Sequence, residues 1–395
     1  MDFNDSPEEA RFRTEVRNWL EQQASDYRQP LDTTDVTGYT AKARDWQRRK
    51  ADAGYAAIRW PRAEGGLDGT PMMEVIFAEE EARYHVPVGP LVTIGTTMAV
   101  PTIRKHGSLP QIEQFTRPTL YGDTLWCQLF SEPSAGSDLA NVRTRAVKDG
   151  DDWVINGQKV WTSWAHVADW GILLARTDAS VPKHKGLSFF LVDMRSAGIE
   201  VRPIQQISGE SEFNEVFLTD LRIPDANRIG AVGEGWKVAI TTLMNERINA
   251  VGDSLSLPSV PEMLQQVRQS GRGLDKHRAA QLLTQELGLR FFRFRLLTSL
   301  SKGETPGAIS AMSKLVHANM LQDLSAMALE SAGLDGICAD GDSQMAKFQH
   351  GYDWSAALRI AGGTDEILRN QIAERVLGLP GEIRVDKDIP FSECR

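Results

Sequence analysis

One stretch of the sequence concentrates residue types that bind ligands through backbone and hydroxyl groups. It runs from residue 128 to residue 138 and reads Gln-Leu-Phe-Ser-Glu-Pro-Ser-Ala-Gly-Ser-Asp. In a turn, glycine lets backbone N–H groups approach a ligand closely, and serine hydroxyls add hydrogen bonds. By composition alone, the stretch is either a binding loop or an ordinary polar loop that opens the next domain.

A second stretch places a large aromatic side chain beside two hydroxyls. Trp161 is followed by Thr162 and Ser163. At a strand end, such an indole could stack on a planar ring while the hydroxyls bond the edge of the ring. The alternative is a core tryptophan, because most of the 10 tryptophans in the chain must pack in its interior.

A carboxylate inside a predicted helix is the best candidate for acid–base chemistry. No basic residue lies three or four positions from Glu246, so no intrahelical ion pair neutralises it. On a mostly neutral helix face, such a carboxylate loses solvation and becomes a better general base. The alternative is a surface carboxylate that pairs with a distant arginine.

A glycine-rich turn precedes the last predicted helix. Residues 361–367 read Ala-Gly-Gly-Thr-Asp-Glu-Ile, which places flexible backbone at a helix N-terminus. A helix N-terminus favours an anion, although a capped helix start by itself accounts for the pattern.

Other familiar chemistries find no support in the sequence. The seven histidines have no ligand spacing and the three cysteines form no CxxC pair, so we predict no metal site. The motifs GxGxxG, GxxxxGK[ST], HExxH and GxSxG are also absent.

Composition and charge exclude several classes of protein. The 395 residues are 41% hydrophobic and 25% charged, a globular balance that excludes a disordered or collagen-like chain. A net charge of −9 argues against a nucleic-acid partner. The acidic N-terminus resembles neither a signal nor a transit peptide, and three prolines in the uncharged segment 86–103 disfavour a membrane span. We therefore expect a cytoplasmic protein and interpret segment 86–103 as a broken, buried helical region.

Hydrophobic periodicity divides the chain into three domains of an α+β fold. We place an N-terminal helical domain at 1–126, a central β domain at 127–230 and a C-terminal helical domain at 231–395. Ser6-Pro7-Glu8-Glu9 predicts a helix start, and residues 72–84 predict another helix. Short β-prone runs without intervening helices predict a compact antiparallel β domain rather than a doubly wound parallel sheet.

Four finer predictions concern single turns and helices. Asn156-Gly157 is a strong signal for a two-residue hairpin. The segment 252–273, rich in Ser, Pro and Gly, predicts a loop, whereas two helices are expected near 316–333 and 365–376. The predicted inner face of the helix that carries Glu246 consists of Trp236, Ile240, Leu243 and Val251.

Together these stretches resemble the acyl-CoA dehydrogenase family. The most specific match is residues 131–139, followed by residues 156–161. Supporting matches are Trp60-Pro61, residues 233–236, and residues 363–367 leading into 373–375. Their order and spacing extend the resemblance over nearly the whole chain. The family architecture, a helical domain, a β-barrel-like domain and a helical bundle, agrees with the periodicity.

The resemblance implies an FAD enzyme that removes an α proton and a β hydride from an acyl-CoA. It also implies an electron-transfer flavoprotein as the electron acceptor. The residues that match FAD contacts of the family are Leu129, Phe130, Ser131, Gly136, Ser137, Trp161, Ser163, Glu330, Gly333, Thr364 and Glu366. The expected substrate contacts are Ser137, Asn245 and Arg247.

The resemblance also assigns the catalytic base. Many members carry a glutamate in a Tyr-Glu-Gly-Thr turn, where this chain has Gly362 instead. A minority, similar to isovaleryl-CoA dehydrogenase, carries the base on an earlier helix directly before an arginine. Glu246-Arg247 matches that position, so Glu246 is the expected base.

A second departure concerns the oligomer. The family's Arg-x-x-Phe-Gly segment, which reaches the FAD pyrophosphate of a neighbouring subunit, is missing; residues 268–278 offer Arg272, His277 and Arg278 instead. Either these residues substitute, or a different subunit supplies the contact. We expect a homo-oligomer, a dimer or tetramer, with a mixed heterotetramer as the alternative. Some actinobacterial members that degrade steroid side chains form mixed tetramers and show similar losses.

Two other functions stay open at this stage, because a fold does not determine a reaction. One is an acyl-CoA oxidase or flavin monooxygenase on the same fold. The other is a non-catalytic subunit of a mixed dehydrogenase complex. The acyl group itself is not fixed by the sequence.

Overall fold

The computed structural model describes residues 5–249, 257–271, 275–302, 307–338 and 343–394. The helices, in chain order, are α1 (Pro7–Gln23), α2 (Val36–Asp52), α3 (Pro71–Glu81), α4 (Pro90–Thr93), α5 (Val100–His106), α6 (Leu109–Leu120), α7 (Gly235–Asn249), α8 (Val260–Gln269), α9 (Lys276–Ser301), α10 (Ala311–Ala332), α11 (Leu334–Ile337), α12 (Gln344–Ile360) and α13 (Asp365–Arg375). A π-helical segment, Ile94–Ala99, lies between α4 and α5. The strands are β1 (Trp126–Leu129), β2 (Arg145–Asp149), β3 (Asp152–Ser163), β4 (Trp170–Arg176), β5 (Leu187–Asp193), β6 (Ile199–Pro203), β7 (Phe213–Pro224) and β8 (Arg228–Ile229).

These elements form two compact units. The helical unit comprises residues 1–30, 69–86 and 250–381 and contains α1, α3 and α8 to α13. The sheet unit comprises residues 31–68, 87–249 and 382–395 and contains the strands, α2 and α4 to α7.

In the helical unit, α1 begins where the sequence predicts. Ser6 accepts a hydrogen bond from the backbone N–H of Glu9 at 3.3 Å, and the Glu9 carboxylate accepts one from the Ser6 N–H at 2.7 Å. This capping box satisfies two backbone donors that a helix start leaves unpaired. The buried Glu80 of α3 accepts hydrogen bonds from Arg13 and Arg17 of α1, which fixes the two helices to each other.

The predicted loop over 252–273 is wrong where α8 forms. Ser259 and Glu262 make a second capping box, and Pro261 lies in the first helical turn, where a missing N–H costs nothing. The serine and proline therefore start a helix rather than break one. Residues 257–259 and 270–271 are not helical, as predicted, and the remainder of the predicted loop, 252–256 and 272–273, lies outside the described residues. The buried residues of α8 are Val260, Met263 and Val267.

The two later helices confirm the prediction. α10 ends at Ala332, and Gly333 follows with a φ of +65°. α13 begins after Thr364, whose hydroxyl caps it by accepting a hydrogen bond from the N–H of Ile367. α10 packs against α8, α9 and α12 around one apolar core.

The sheet unit is built on strands in the order β6-β7-β3-β2-β4-β5-β8, and β1 pairs with β4 beside this path. Most pairings are antiparallel, while β1 and β2 each pair with β4 in parallel. Alternate residues of β5 enter two separate cores, with Phe189 on one face and Phe190 on the other. Both faces of the central strands are therefore buried.

The predicted hairpin at Asn156-Gly157 is wrong, because β3 runs through both residues. The chain reverses earlier, between Asp149 of β2 and Asp152 of β3. A Cβ on Gly157 would lie 2.7 Å from the Cα of Thr144. The glycine thus permits a close approach of two backbones rather than a turn.

The segment 86–103 is broken and buried, as predicted. α4, the π-helical segment and α5 divide it. Its buried residues include Leu91, Ile94, Met98 and Ile103. In the part of the chain that the structure describes, no helix is long and apolar enough to cross a membrane.

The inner face of α7 differs from the predicted one. Ile240 is 39% exposed, while Trp236 and Leu243 pack only partly against the core. Val251 lies outside the described residues. Thr242 of α7 occupies a core position because its hydroxyl forms a hydrogen bond with the hydroxyl of Thr102. A search for apolar periodicity cannot predict a polar residue at such a position. The fully buried residues of α7 include Val238, Ala239 and Thr242.

Candidate active site

The candidate binding loop, residues 131–138, follows β1 directly. The side chains of Leu129 and Phe130 are buried, so only their backbone can meet a ligand. Glu132 and Ala135 close a tight turn by exchanging backbone hydrogen bonds of 2.9 and 3.0 Å. Gly136 and Ser137 are exposed beyond this turn, and a Cβ on Gly136 would meet no neighbouring atom. The loop therefore presents backbone and the Ser137 hydroxyl on its outer side.

The loop lies beside the end of β3, where Trp161 is held in an unusual conformation. The N–H of Val160 donates a 2.9 Å hydrogen bond to the carbonyl of Ser131. Trp161 has a φ of +61°, in the left-handed region that costs a non-glycine residue about 1–2 kcal/mol. Its indole is 59% exposed and meets Phe213 edge-on, with a centroid distance of 6.1 Å. The alternative of a core tryptophan is thereby excluded.

Ser163 ends β3 two residues after Trp161 and is half-buried opposite Phe213 of β7. The register of β3 against β7 shifts between Lys159 and Thr162, which turns Trp161 out of the sheet. The sheet unit thus brings together Ser131, Trp161 and Ser163, three residues predicted to contact one ring.

Behind this surface lies a buried ion pair that the sequence reasoning missed. The Glu132 cluster consists of Glu132, Lys159 and the backbone groups that they bond. Lys159 is 0% exposed, and its ammonium donates to the Glu132 carboxylate at 2.8 Å. It also donates to the carbonyls of Phe130 and Leu174 at 3.0 and 2.8 Å. A lysine at an inward position of an alternating strand was the signal that could have revealed it.

The carboxylate of the Glu132 cluster is fully partnered as well. Glu132 accepts hydrogen bonds from the N–H groups of Arg143 and Thr144 at 2.6 and 2.9 Å. Burial acts to raise the pKa of Glu132, but the Lys159 ammonium and these N–H donors outweigh it and keep that pKa below its ordinary value. Burial lowers the pKa of Lys159 to about 8, although Glu132 opposes the shift. Each charge thus supports the other, because Lys159 lowers the pKa of Glu132 and Glu132 limits the fall in the pKa of Lys159.

In the helical unit, a second cluster around a buried carboxylate supports the glycine-rich turn. The Asp365 cluster consists of Asp365, Asn319, Arg359 and Lys314. Asp365 Oδ2 accepts from Asn319 at 3.0 Å and from Arg359 at 2.9 Å. Lys314 donates to the carbonyl of Gly363 at 2.6 Å and lies 3.9 Å from Asp365 Oδ1. Burial again acts to raise the pKa of Asp365, but its bonded partners hold that pKa below its ordinary value.

The turn itself suits an anion. Gly362 and Gly363 have φ values of +65° and +100°, a conformation that glycine adopts without strain. Thr364 caps α13, and Glu366 in its first turn is exposed. Lys314 and Arg359 balance the charges of the buried Asp365 and the exposed Glu366, so the helix N-terminus is the feature that favours an anion here.

Glu330, which the resemblance also assigns to FAD, lies in the last turn of α10, and Gly333 follows that helix. Glu330 pairs with Arg278 at 2.6 Å. Arg278 is one of the residues expected to replace the missing Arg-x-x-Phe-Gly segment, and it also donates to the carbonyl of Asp323 at 3.2 Å. Arg272 lies outside the described residues.

The helix that carries the predicted base is fixed by two hydroxyl contacts. Thr242 of α7 bonds Thr102 of α5 at 2.9 Å, and Thr241 bonds the His106 ring at 2.8 Å. The backbone of α7 continues to Asn249, so Glu246 is helical and lies one turn after Thr242. The side chains of Glu246 and Arg247 are outside the described residues, while Asn245 is half-buried.

Each unit, taken by itself, offers a surface that suits one kind of ligand group. The exposed indole of Trp161 beside the Ser131 loop offers a stacking surface with hydroxyls at its edge. The diglycine turn before α13 offers a helix N-terminus. Among the described residues, no group of three or more His, Cys, Asp or Glu could hold a metal ion.

Comparison with sequence families gives matches along most of the chain, between residues 6 and 377. The model described as acyl-CoA dehydrogenase, N-terminal domain, matches residues 6–123; the middle-domain model matches 127–221 and the C-terminal-domain model 233–377. Acyl-CoA dehydrogenase IpdE1 of Mycobacterium tuberculosis is 38% identical over 384 residues, 94% of this chain and 98% of the relative. Acyl-CoA dehydrogenase FadE34 of the same organism is 42% identical over 84% of this chain, but the match spans only 45% of that longer relative.

Two solved structures resemble the fold closely. The Tcur3481-Tcur3483 steroid ACAD superposes with a TM-score of 0.80 at 25% identity, over 97% of this chain and 100% of that chain. The ChsE4-ChsE5 complex from Mycobacterium tuberculosis gives 0.78 at 26% identity, with the same coverage.

Proposed function

The chain belongs to the acyl-CoA dehydrogenase family, FAD-dependent oxidoreductases that act on CH–CH groups; from this premise we propose that it converts an acyl-CoA to the 2-enoyl-CoA. In this proposal the electrons pass to an electron-transfer flavoprotein. The observation that supports it best is the joint geometry of Ser131 and Trp161, which sets an exposed indole beside a polar loop.

The chain's own residues divide the work between holding the cofactor and moving a proton. Trp161 stacks on the ring of FAD, and Ser131 and Ser163 offer hydroxyls to its edge. Thr364 and Glu366 contact FAD at the diglycine turn, and Glu330 and Gly333 contact its adenosine half. FAD, when bound, supplies the acceptor for the hydride from the β carbon of the substrate.

Glu246 acts as the general base that takes the α proton. The proton is acidic enough only when the thioester carbonyl is polarised by hydrogen-bond donors, as in an oxyanion hole. Ser137, Asn245 and Arg247 bind the acyl-CoA. The hydroxyl contacts of Thr241 and Thr242 with α5 support this role, because they fix the backbone one turn before Glu246.

We propose a bulky, steroid-derived acyl-CoA as the substrate class. The Tcur3481-Tcur3483 structure is titled a steroid ACAD. Gly362 stands where many members of the family carry a glutamate, and a missing side chain leaves room for a wider substrate. The expected cytoplasmic location stays a prediction.

The protein is expected to work as an oligomer, either of one chain or of two. Two of the similar structures are named for pairs of chains, which supports a mixed assembly as the alternative to a homo-oligomer. Expression alone and with candidate partner chains, followed by measurement of mass and flavin content, distinguishes the two. Colourless protein that gains FAD only with a partner supports the mixed assembly.

A panel of short, branched, long and steroid-derived acyl-CoAs tests the reaction and the substrate class together. Under anaerobic conditions, the matching substrate is expected to bleach the flavin absorbance, and air is expected to restore it slowly. Bleaching by short straight chains alone contradicts the steroid assignment. Rapid peroxide formation in air indicates an oxidase, and FAD-loaded protein that no acyl-CoA bleaches indicates a non-catalytic subunit.

A further inference from the structure

Lys159 connects the two chain segments that carry the proposed ring contacts. Its ammonium donates to the carbonyl of Phe130, the residue before Ser131. Lys159 itself precedes Val160, whose N–H bonds the carbonyl of Ser131. One buried side chain therefore reaches the loop after β1 from a strand that ends two residues after Trp161.

Every donor of this ammonium is used. Its three hydrogen bonds go to Phe130, Glu132 and Leu174, at 3.0, 2.8 and 2.8 Å, and Lys159 has no exposed surface. Three directed bonds define the position of each partner more closely than an apolar contact can. Replacing a buried ion pair with apolar residues often leaves stability unchanged or improves it, so stability alone is a weak reason for the pair.

The Ser131 loop and the end of β3 also need support from neighbouring contacts, because the backbone of β3 is strained at Trp161. Trp161 has a left-handed φ, and the strand register shifts around it. Such a conformation persists only where the surrounding contacts determine it. The hydrogen bonds of Lys159 and Val160 lie immediately before this residue.

We propose that Lys159, held by Glu132, is a positioning residue for the flavin: it fixes the Ser131 loop against the Trp161 end of β3 before FAD binds. The inference rests on the proposed function, which assigns these segments to the ring. Ordering them in advance removes an entropic cost from cofactor binding and fixes the surroundings of the ring.

Lys159→Met is the first test, since methionine keeps the length of the side chain without its charge or donors. We expect FAD to dissociate about tenfold more readily or worse, with a shifted flavin absorbance and midpoint potential. Lys148→Met is the matched control, because Lys148 lies on the neighbouring strand β2 and forms an exposed ion pair with Asp225. A folded Lys159→Met protein with wild-type FAD affinity, absorbance and potential overturns the proposal.

Glu132→Gln is the second test, for the case in which Lys159→Met does not fold. The amide oxygen can still accept from Lys159, but the charge that supports the ammonium is lost. The charged groups that act on Lys159 are Glu132 and Arg176. Because the pKa of Lys159 is already about 8 and Glu132 raises it, the variant should move that pKa to lower pH.

The shift in the pKa of Lys159 can be measured, without any substrate, from the pH dependence of the flavin absorbance. We expect a transition near pH 8 in the wild type and at lower pH in Glu132→Gln. Identical profiles in both proteins contradict the proposal. Wild-type protein that binds no FAD, either alone or with a partner chain, refutes the proposed function instead. If FAD-loaded protein fails to react with acyl-CoA, the pH profile of its flavin absorbance still tests the role of Lys159.

Discussion

The Glu132 cluster and the Asp365 cluster each hold a turn from behind with a buried carboxylate, but they differ in what remains unbonded. Both oxygens of Glu132 and all three donors of Lys159 have partners. Asp365 Oδ1, by contrast, is buried with no hydrogen-bond partner among the described residues, and Lys314 stays 3.9 Å away. We call the Glu132 cluster saturated, because each of these oxygens and donors has a hydrogen-bond partner, and the Asp365 cluster unsaturated, because one carboxylate oxygen has none among the described residues.

The difference matches what each turn is proposed to bind. A rigid, fully bonded support suits an uncharged ring whose position must be defined closely. The Asp365 cluster supports a diglycine turn at a helix N-terminus, and the unpaired N–H groups of such a terminus suit the anionic half of FAD. The comparison indicates that one region was built for geometry and the other for charge.

The largest stability loss is expected at the saturated cluster. Lys159→Met leaves Glu132 buried without its counter-charge, and breaking a buried pair costs about 3–5 kcal/mol in the free energy of unfolding. Chemical denaturation of the FAD-free protein measures it. Lys148→Met is expected to change that free energy by no more than about 0.5 kcal/mol. If the two variants lose the same free energy of unfolding, burial of the Lys159–Glu132 pair does not make it more important for stability than the exposed Lys148–Asp225 pair.

A smaller loss is expected at the unsaturated cluster. Asp365→Asn keeps the side-chain shape and one accepting oxygen, so we expect a loss of about 1–3 kcal/mol in the free energy of unfolding. The exposed Asp335 supplies the control Asp335→Asn, which should be neutral. A loss at Asp365 that exceeds the loss at Lys159 would reverse the order of the two clusters.

Acid titration sharpens the same comparison. The pKa values of Glu132 and Asp365 are both below their ordinary values, so each carboxylate binds its proton less readily in the folded state. Their stabilisation is present above the unfolded pKa of about 4 and is lost as the pH falls through the folded pKa. Asp365→Asn should therefore lose less stability than the wild type as the pH falls below about 4. A parallel decline in both proteins contradicts the ionised role of Asp365.

The smallest effect is expected at the uncharged contact between α5 and α7. Thr102→Val removes one partner of the buried hydroxyl pair with Thr242 and should cost about 1 kcal/mol. Thr242 also donates to the carbonyl of Val238, which limits the loss. If Thr102→Val lowers the free energy of unfolding as much as Lys159→Met does, the large effect expected at the Glu132 cluster does not come from its buried charges.

Sequence reasoning predicted the elements well where local signals decide them. The capping box at Ser6 and the cap at Thr364 are formed within four residues, and both helices begin as expected. It failed where distant contacts decide: Gly157 permits an approach to Thr144, and Thr242 is buried through Thr102. The left-handed Trp161 and the burial of Lys159 likewise depend on strand pairings that no local pattern contains.

Anaerobic reduction of the FAD-loaded protein by its matching acyl-CoA, with wild type and Glu246→Gln compared, tests the central claim most directly. Glutamine keeps the shape of the side chain but cannot take the α proton. We predict that Glu246→Gln retains its flavin spectrum and bleaches at least ~100-fold more slowly than the wild type. Bleaching within about tenfold of the wild-type rate would place the base elsewhere and contradict the mechanism.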